Sequence, residues 1–177
     1  ILNITQADVN IDIISNPIIY SENATVKVDL GDKRVTGTVT VTINGTTKTM
    51  GLVNGSAVFV YTDLPAGVHN IGVSYSGDGN YKSNQANGSL TVNKKDFVPS
   101  VDVSDIYYGD NATITVNYID TITGDVIVTV NGKNKTLVNH KVTFDGLDVG
   151  SYNVYVYYKG DNNYLTFSMV LLLTTPL

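Results

Sequence analysis

Apolar and polar residues alternate with a period of two along most of the chain. Val26, Val28 and Leu30 fall on one side of a segment that carries Lys27 on the other, and Val39, Val41 and Ile43 are set against Thr40 and Thr42. Val58 with Val60, and Ile71, Val73 and Tyr75 with Ser74 opposite, continue the pattern. A later stretch repeats it at Ile114/Val116/Tyr118, Val126/Val128/Val130 and Val154/Val156/Tyr158. Side chains that return to one face every second residue belong to a pleated strand buried on one side, and Val, Ile, Thr and Tyr pack well there. The spacing therefore predicts strands whose named apolar residues face a core, and no helix. Asn44-Gly45 and Asn131-Gly132 tolerate φ > 0 at both positions, which is what a two-residue hairpin loop needs. Short strands separated by turns every ~8–12 residues fold as two sheets packed face to face, about seven strands to each ~85 residues.

The same blocks occur twice. Tyr20-Ser-Glu-Asn-Ala-Thr25 returns 88 residues later as Tyr108-Gly-Asp-Asn-Ala-Thr113, and Thr40-Val-Thr-Ile-Asn-Gly45 returns after 87 as Ile127-Val-Thr-Val-Asn-Gly132. Tyr75-Ser-Gly-Asp-Gly-Asn-Tyr81 returns after 83 as Tyr158-Lys-Gly-Asp-Asn-Asn-Tyr164. The shrinking offset places small deletions between the matched blocks, where loops belong. Two copies of one domain follow, residues 1–95 and 96–177, joined within 93–99, where a charge cluster and Pro99 interrupt the alternation. In each copy a Leu and a Gly (Leu64 and Gly67; Leu147 and Gly150) lead into the next strand, which opens on His69 in the first copy and Tyr152 in the second. That is the place of a tyrosine corner, whose hydroxyl bonds back to the backbone. His69 is read the same way, as a structural corner residue rather than a catalytic or metal-binding one.

Charge and composition narrow the function. Across 177 residues, 11 Lys and Arg against 16 Asp and Glu leave a net charge of −5. A chain of that sign lacks the electrostatic footprint that neutralises phosphates, so neither nucleic acid nor an anionic membrane is an expected partner. The acidity is uneven: residues 1–95 hold 7 basic and 7 acidic side chains, leaving 4 and 9 to the second copy. Solubility accounts for that better than recognition does. The longest apolar run, Met169 to Leu173, is far short of the ~20 residues that span a bilayer, so no membrane insertion is expected in this segment. With no Cys and only His69 and His140, there is little from which to build a thiolate nucleophile, a zinc site or a His-dependent hydrolase. No enzyme activity and no cofactor are expected. The chain opens on Ile1 rather than Met and reads as a piece of a longer protein.

Five constellations could still carry chemistry. Sequons at Asn3, Asn23, Asn44, Asn54, Asn87, Asn111 and Asn134 are candidate glycan sites, several in predicted turns, although a chain rich in Asn and Thr also generates such triplets by composition. Asp78-Gly79-Asn80 and Asp161-Asn162-Asn163 offer one carboxylate each, too few for calcium, and are read as turns in which Asp satisfies local N–H groups. Asp102, Asp105 and Asp110 are read as solvated surface, and Lys27 as an outer-face residue unsuited to an internal crosslink. The copies differ most on the outward face after the corner: Gly72 and Ser74 become Tyr155 and Tyr157, and Thr40 becomes Ile127. These three residues form the candidate ligand-binding face, a flat aromatic platform for a sugar ring or a protein contact, with cross-strand stabilisation as the simpler alternative.

With its Tyr-x-Gly-Asp-x-Asn-Tyr signature at 75–81 and 158–164, the Leu-x-x-Gly entry before it and the Asn-Gly hairpin, the chain resembles the tandem bacterial-type immunoglobulin-like repeats of large secreted proteins. Its wealth of Asn and Thr and its lack of Cys and Trp make it most similar to adhesin-like, Asn/Thr-rich surface proteins of methanogenic archaea. The resemblance implies an all-β fold of two tandem immunoglobulin-like β-sandwich domains of about seven antiparallel strands each. It also implies an extracellular or cell-surface location and a non-catalytic role as stalk or spacer in cell adhesion, with neighbouring Ig-like repeats as partners. Two further roles stay open: direct binding of cell-surface polysaccharide or protein through the tyrosine face, and service as an accessory domain of a secreted hydrolase. The second copy departs from the family after Tyr164, where Met169 to Leu173 is apolar on both faces, unlike Gly88-Ser-Leu-Thr-Val92.

Overall fold

In the computed structural model, which describes residues 2–119 and 121–175, the alternating segments pair as strands, and no helix occurs among the described residues. Ile1, on which the chain opens, lies outside them. The chain divides into two compact units, Ile1–Lys94 and Lys95–Leu177. Lys95 belongs with the second unit because its backbone bridges Tyr164 in parallel, as Ala7 bridges Tyr81 in the first. The junction thus falls one residue before the expected 95/96 boundary.

The first unit contains β1 (Asp12–Ser15), β2 (Ile18–Ile19), β3 (Ala24–Asp29), β4 (Thr38–Ile43), β5 (Thr46–Gly51), β6 (Ser56–Tyr61), β7 (Gly67–Tyr75) and β8 (Asn84–Asn93). They form a sheet ordered β1-β3-β6 and another ordered β2-β8-β7-β4-β5. The strand count exceeds the expected seven because the first segment changes sheets at Asn16-Pro17: β1 pairs antiparallel with β3, then β2 pairs parallel with β8. Proline lacks the N–H that a continuous ladder would require there. Val26 and Val28 from one sheet and Val39, Val41, Ile43, Ile71, Val73 and Leu90 from the other fill the space between them. In β6 the expected inward face is wrong. Val58 and Val60 are exposed, whereas Ala57, Phe59 and Tyr61 are buried. Both faces of that strand are apolar, so alternation cannot choose between them. The larger aromatic area settles the matter, and Tyr61 adds a buried hydrogen bond to the Val41 carbonyl of the facing sheet (2.7 Å).

The second unit contains β9 (Ser100–Val103), β10 (Ala112–Asn117), β11 (Val126–Val130), β12 (Lys133–Thr136), β13 (Lys141–Phe144), β14 (Gly150–Tyr158) and β15 (Phe167–Thr175), in sheets ordered β9-β10-β13 and β12-β11-β14-β15. Ile114, Val116, Val142 and Phe144 meet Val126, Val128, Val130, Val154, Val156 and Tyr158 across the core. The last strand completes that core with one face: Leu173 is fully buried and Met169 and Leu171 partly so. Its other face turns Val170 and Leu172 outward. The hairpins at Asn44-Gly45 and Asn131-Gly132 have φ of 48 and 77° and of 49 and 72°, the left-handed pair that a tight hairpin demands.

Candidate functional site

The outward face of β11, β14 and β15 gathers the residues singled out in sequence. Ile127 stands opposite Tyr157, which stands opposite Ser168, and Thr129 is opposite Tyr155, which is opposite Val170. Tyr155 and Tyr157 are 47% and 44% exposed, and Ile127 is half-buried beside them. Val170 and Leu172, at 57% and 60% exposure, extend the apolar surface across β15. These two residues were not among the candidates. Their signal was present in the run from Met169 to Leu173, because a strand apolar on both faces must turn half its side chains away from the core. Polar neighbours border the surface: Asn153 Nδ2 donates to the Tyr155 hydroxyl (3.3 Å), and Thr129 Oγ1 donates to Asn134 Oδ1 (2.7 Å). In the first unit the matching positions are Thr40, Thr42, Gly72, Ser74, Gln85 and Asn87, with hydroxyl pairs Thr40–Thr49 (2.8 Å) and Thr42–Thr47 (2.9 Å).

The repeated Tyr-x-Gly-Asp-x-Asn-Tyr segment is a clamp. Asp78 Oδ1 accepts the N–H groups of Asn80 (2.7 Å) and Tyr81 (2.8 Å), while Oδ2 accepts the N–H (2.9 Å) and hydroxyl (2.8 Å) of Thr36, forty-two residues away. Asp161 repeats this with Asn163 (2.8 Å), Tyr164 (2.7 Å) and the N–H and hydroxyl of Thr123 (2.7 and 3.0 Å). The leading Tyr donates to the same loop, Tyr75 to Thr36 O (2.8 Å) and Tyr158 to Thr123 O (3.0 Å). Gly77 and Gly160 have positive φ, and a Cβ on either would lie 2.9 Å from the backbone of the turn. The Thr36 N–H, with those of Asn80 and Tyr81, holds the Asp78 carboxyl well below the usual carboxylate range. For Asp161 burial is the largest single effect and opposes the shift, yet the N–H groups of Thr123, Asn163 and Tyr164 together outweigh it.

Both carboxylates thus spend one oxygen on the N–H groups of their own turn and the other on a distant threonine. Asp102 accepts from Asn117 Nδ2 (2.8 Å), and Asp105 accepts from the Thr174 N–H (3.0 Å). No group of three His, Cys, Asp or Glu among the described residues is placed to hold a metal ion. Lys27 pairs with Asp29 (2.7 Å) on the outer face of β3. Tyr152 donates to the Asp148 carbonyl (2.9 Å). His69 Nε2 lies 2.7 Å from the Pro65 carbonyl, which can only accept, so that nitrogen carries the proton and the imidazole replaces the corner hydroxyl. The sequon residues Asn3, Asn23, Asn44, Asn54, Asn87, Asn111 and Asn134 are all exposed. Asn44 and Asn54 sit in turns, whereas Asn87 and Asn134 lie within β8 and β12.

Residues 14–93 match the profile of the bacterial Ig-like domain (group 3) family. No curated protein matches the chain. Among solved structures, a segment of two fibronectin type III domains from chicken tenascin is similar at 17% identity and a TM-score of 0.50, over 93% of this chain and 98% of that one. The fibronectin(III)-like modules of CbhA from Clostridium thermocellum align over 94% of both chains, at 12% identity and a TM-score of 0.37. At 17% identity the likeness to the tenascin segment is one of fold. The protein is an all-β tandem of immunoglobulin-like sandwiches.

Proposed function

We propose that the tandem serves as a non-catalytic module of an extracellular, adhesin-like surface protein, acting as a stalk or spacer between neighbouring Ig-like repeats. The observation that supports this reading is that each unit closes its own core and carries its own Asp clamp, so copies can be strung in series with reach set by their number. The test is replacement of the tandem in its parent by an unrelated pair of sandwiches of equal length. A spacer allows cell attachment to survive the exchange, and loss of attachment despite normal surface display rejects the reading.

One observation favours a second reading, in which the fragment itself binds cell-surface polysaccharide or protein. The second unit exposes Tyr155, Tyr157, Val170 and Leu172 together, next to Ile127, where the first unit is polar. Tyrosine offers area at low cost in rotamer entropy and a hydroxyl for the ligand. Glycan-array and whole-cell binding by the fragment, compared with Tyr155→Ser/Tyr157→Ser, tests it. Binding that is selective and lost in the variant is expected, and binding that the variant retains rejects the face.

A further inference from the structure

The edge of β15 is left open by the sheet. In the order β12-β11-β14-β15 it comes last and pairs on one side with β14, from Tyr158↔Phe167 to Gly150↔Thr175. On its other side Thr174 is engaged: its N–H donates to Asp105 Oδ1 (3.0 Å) and its carbonyl accepts from the Ile106 N–H (3.2 Å). Backbone groups in a strand alternate in direction, so Ser168, Val170 and Leu172 aim theirs the same way as Thr174. No backbone partner among the described residues meets them there. The strand, Phe-Ser-Met-Val-Leu-Leu-Leu-Thr-Thr, has none of the charges, prolines or glycines that blunt an edge. Its counterpart β8 reads Asn-Gln-Ala-Asn-Gly-Ser-Leu-Thr-Val-Asn, and β2 is seated on its final residues.

We propose that this edge pairs with the same edge of a second copy of the chain, antiparallel, about a twofold axis at Val170. The occupant must be an extended strand, because a row of open N–H and carbonyl groups is satisfied by another such row. The register follows from which groups are free. Thr174 is taken by Asp105 and Ile106, so the open stretch is 168–172 and its midpoint is Val170. Val170 then faces Val170, and Ser168 faces Leu172, with all their outer backbone groups paired. A slip by one residue would set open groups against groups already bonded to β14, and a slip by two would leave some unmet. A second copy fits better than a foreign strand because the twofold arrangement is self-complementary, with no charge to bury, and it covers exposed Val170 and Leu172 of both chains at once. It also joins the two tyrosine faces into one surface.

The test is sedimentation of the 177-residue chain over a concentration series. So short an edge buries less than a standard interface, and a dissociation constant of roughly 10–1000 μM is expected. Val170→Lys sets like charges directly opposite one another and should raise it on the order of tenfold, with circular dichroism unchanged because the side chain points to solvent. Cysteine placement reads the register independently of that variant, in a chain that has no cysteine of its own. Val170→Cys should form an intermolecular disulfide on mild oxidation, since paired Cα atoms at ~5.5 Å suit one. Exposed Val53→Cys in the first unit should not. A chain that stays monomeric throughout, a dimer indifferent to Val170→Lys, or crosslinking at 170 no faster than at 53 would each overturn the proposal.

Discussion

Asp161 ties the turn at 161–164 to Thr123 through one carboxylate, and Asp78 does the same for Thr36, so the signature repeats because each of its residues has a bond to make or a space to leave. Removing the charge weakens the clamp: Asp161→Asn should cost roughly 1–2 kcal/mol, the low end for charge-assisted bonds because the loop is partly solvated. Both carboxyls titrate below their ordinary 3.8 in the fold. Their contribution is therefore complete above about pH 4 and is lost as the pH falls through the lowered folded value. Thermal unfolding of wild type and Asp161→Asn should show a gap at neutral pH that narrows near pH 2. At the alkaline end, burial and then nearby Asp78 push the Tyr75 hydroxyl up to about 12 from 10.0, so stability should decline as the pH rises from 10 towards 12. The glycines separate two effects. Gly132 has φ of +72° with nothing within 4 Å of the position a methyl would take, whereas Gly160, at +83°, would place one 2.9 Å from Tyr164 O. Denaturant titration should give about 1 kcal/mol for Gly132→Ala and up to ~3 for Gly160→Ala, and equal losses would remove the crowding argument.

At the scale of strands, the period of two placed most of the elements and failed where both faces are apolar. β3, β4, β7 and β10 alternate cleanly, β11 and β14 set valines inward against Ile127, Tyr155 and Tyr157 on the outer face, and in all six the inward residues are buried as their spacing predicts. β6 and β15 carry no such contrast, and their faces are set by what fills the core rather than by local pattern. Pro17 marks a break in the first segment, but the local pattern does not announce that the chain moves to the other sheet there, since that outcome depends on the free end of β8. For the candidate face, the Tyr155 and Tyr157 substitutions were readable against Gly72 and Ser74, but Val170 and Leu172 needed the register of β15. That register predicts opposite behaviour at adjacent positions. Leu173→Ala, fully buried, should destabilise by roughly 2–4 kcal/mol, while Leu172→Ala should change stability by less than about 0.5. Reversed costs in urea unfolding, with Leu172→Ala the larger, would mean that the strand sits in the other register.

Across the whole molecule, the parts that repeat are the cores, corners and clamps, and the part that diverges is one sheet face. This division allows the face to be moved without disturbing what holds the fold. Gly72, in the middle of β7, has no positive φ, and a Cβ there would approach nothing closer than 4.0 Å, from Asn87 Oδ1 and Thr42 O. Its outward direction is that of Tyr155 in β14, through the shared pairing with β4 and β11. Gly72→Tyr/Ser74→Tyr in the first unit should therefore fold and be more stable than wild type by up to ~1 kcal/mol, since tyrosine suits a pleated surface and glycine does not. The same variant separates a structural role for the tyrosines from a recognition role. If they serve only as cross-strand packing, the gain appears in unfolding curves and binding to cells or glycans is unchanged. If they recognise a ligand, the double variant should add a second site to the chain, and binding should persist when Tyr155 and Tyr157 are changed to serine in the same molecule.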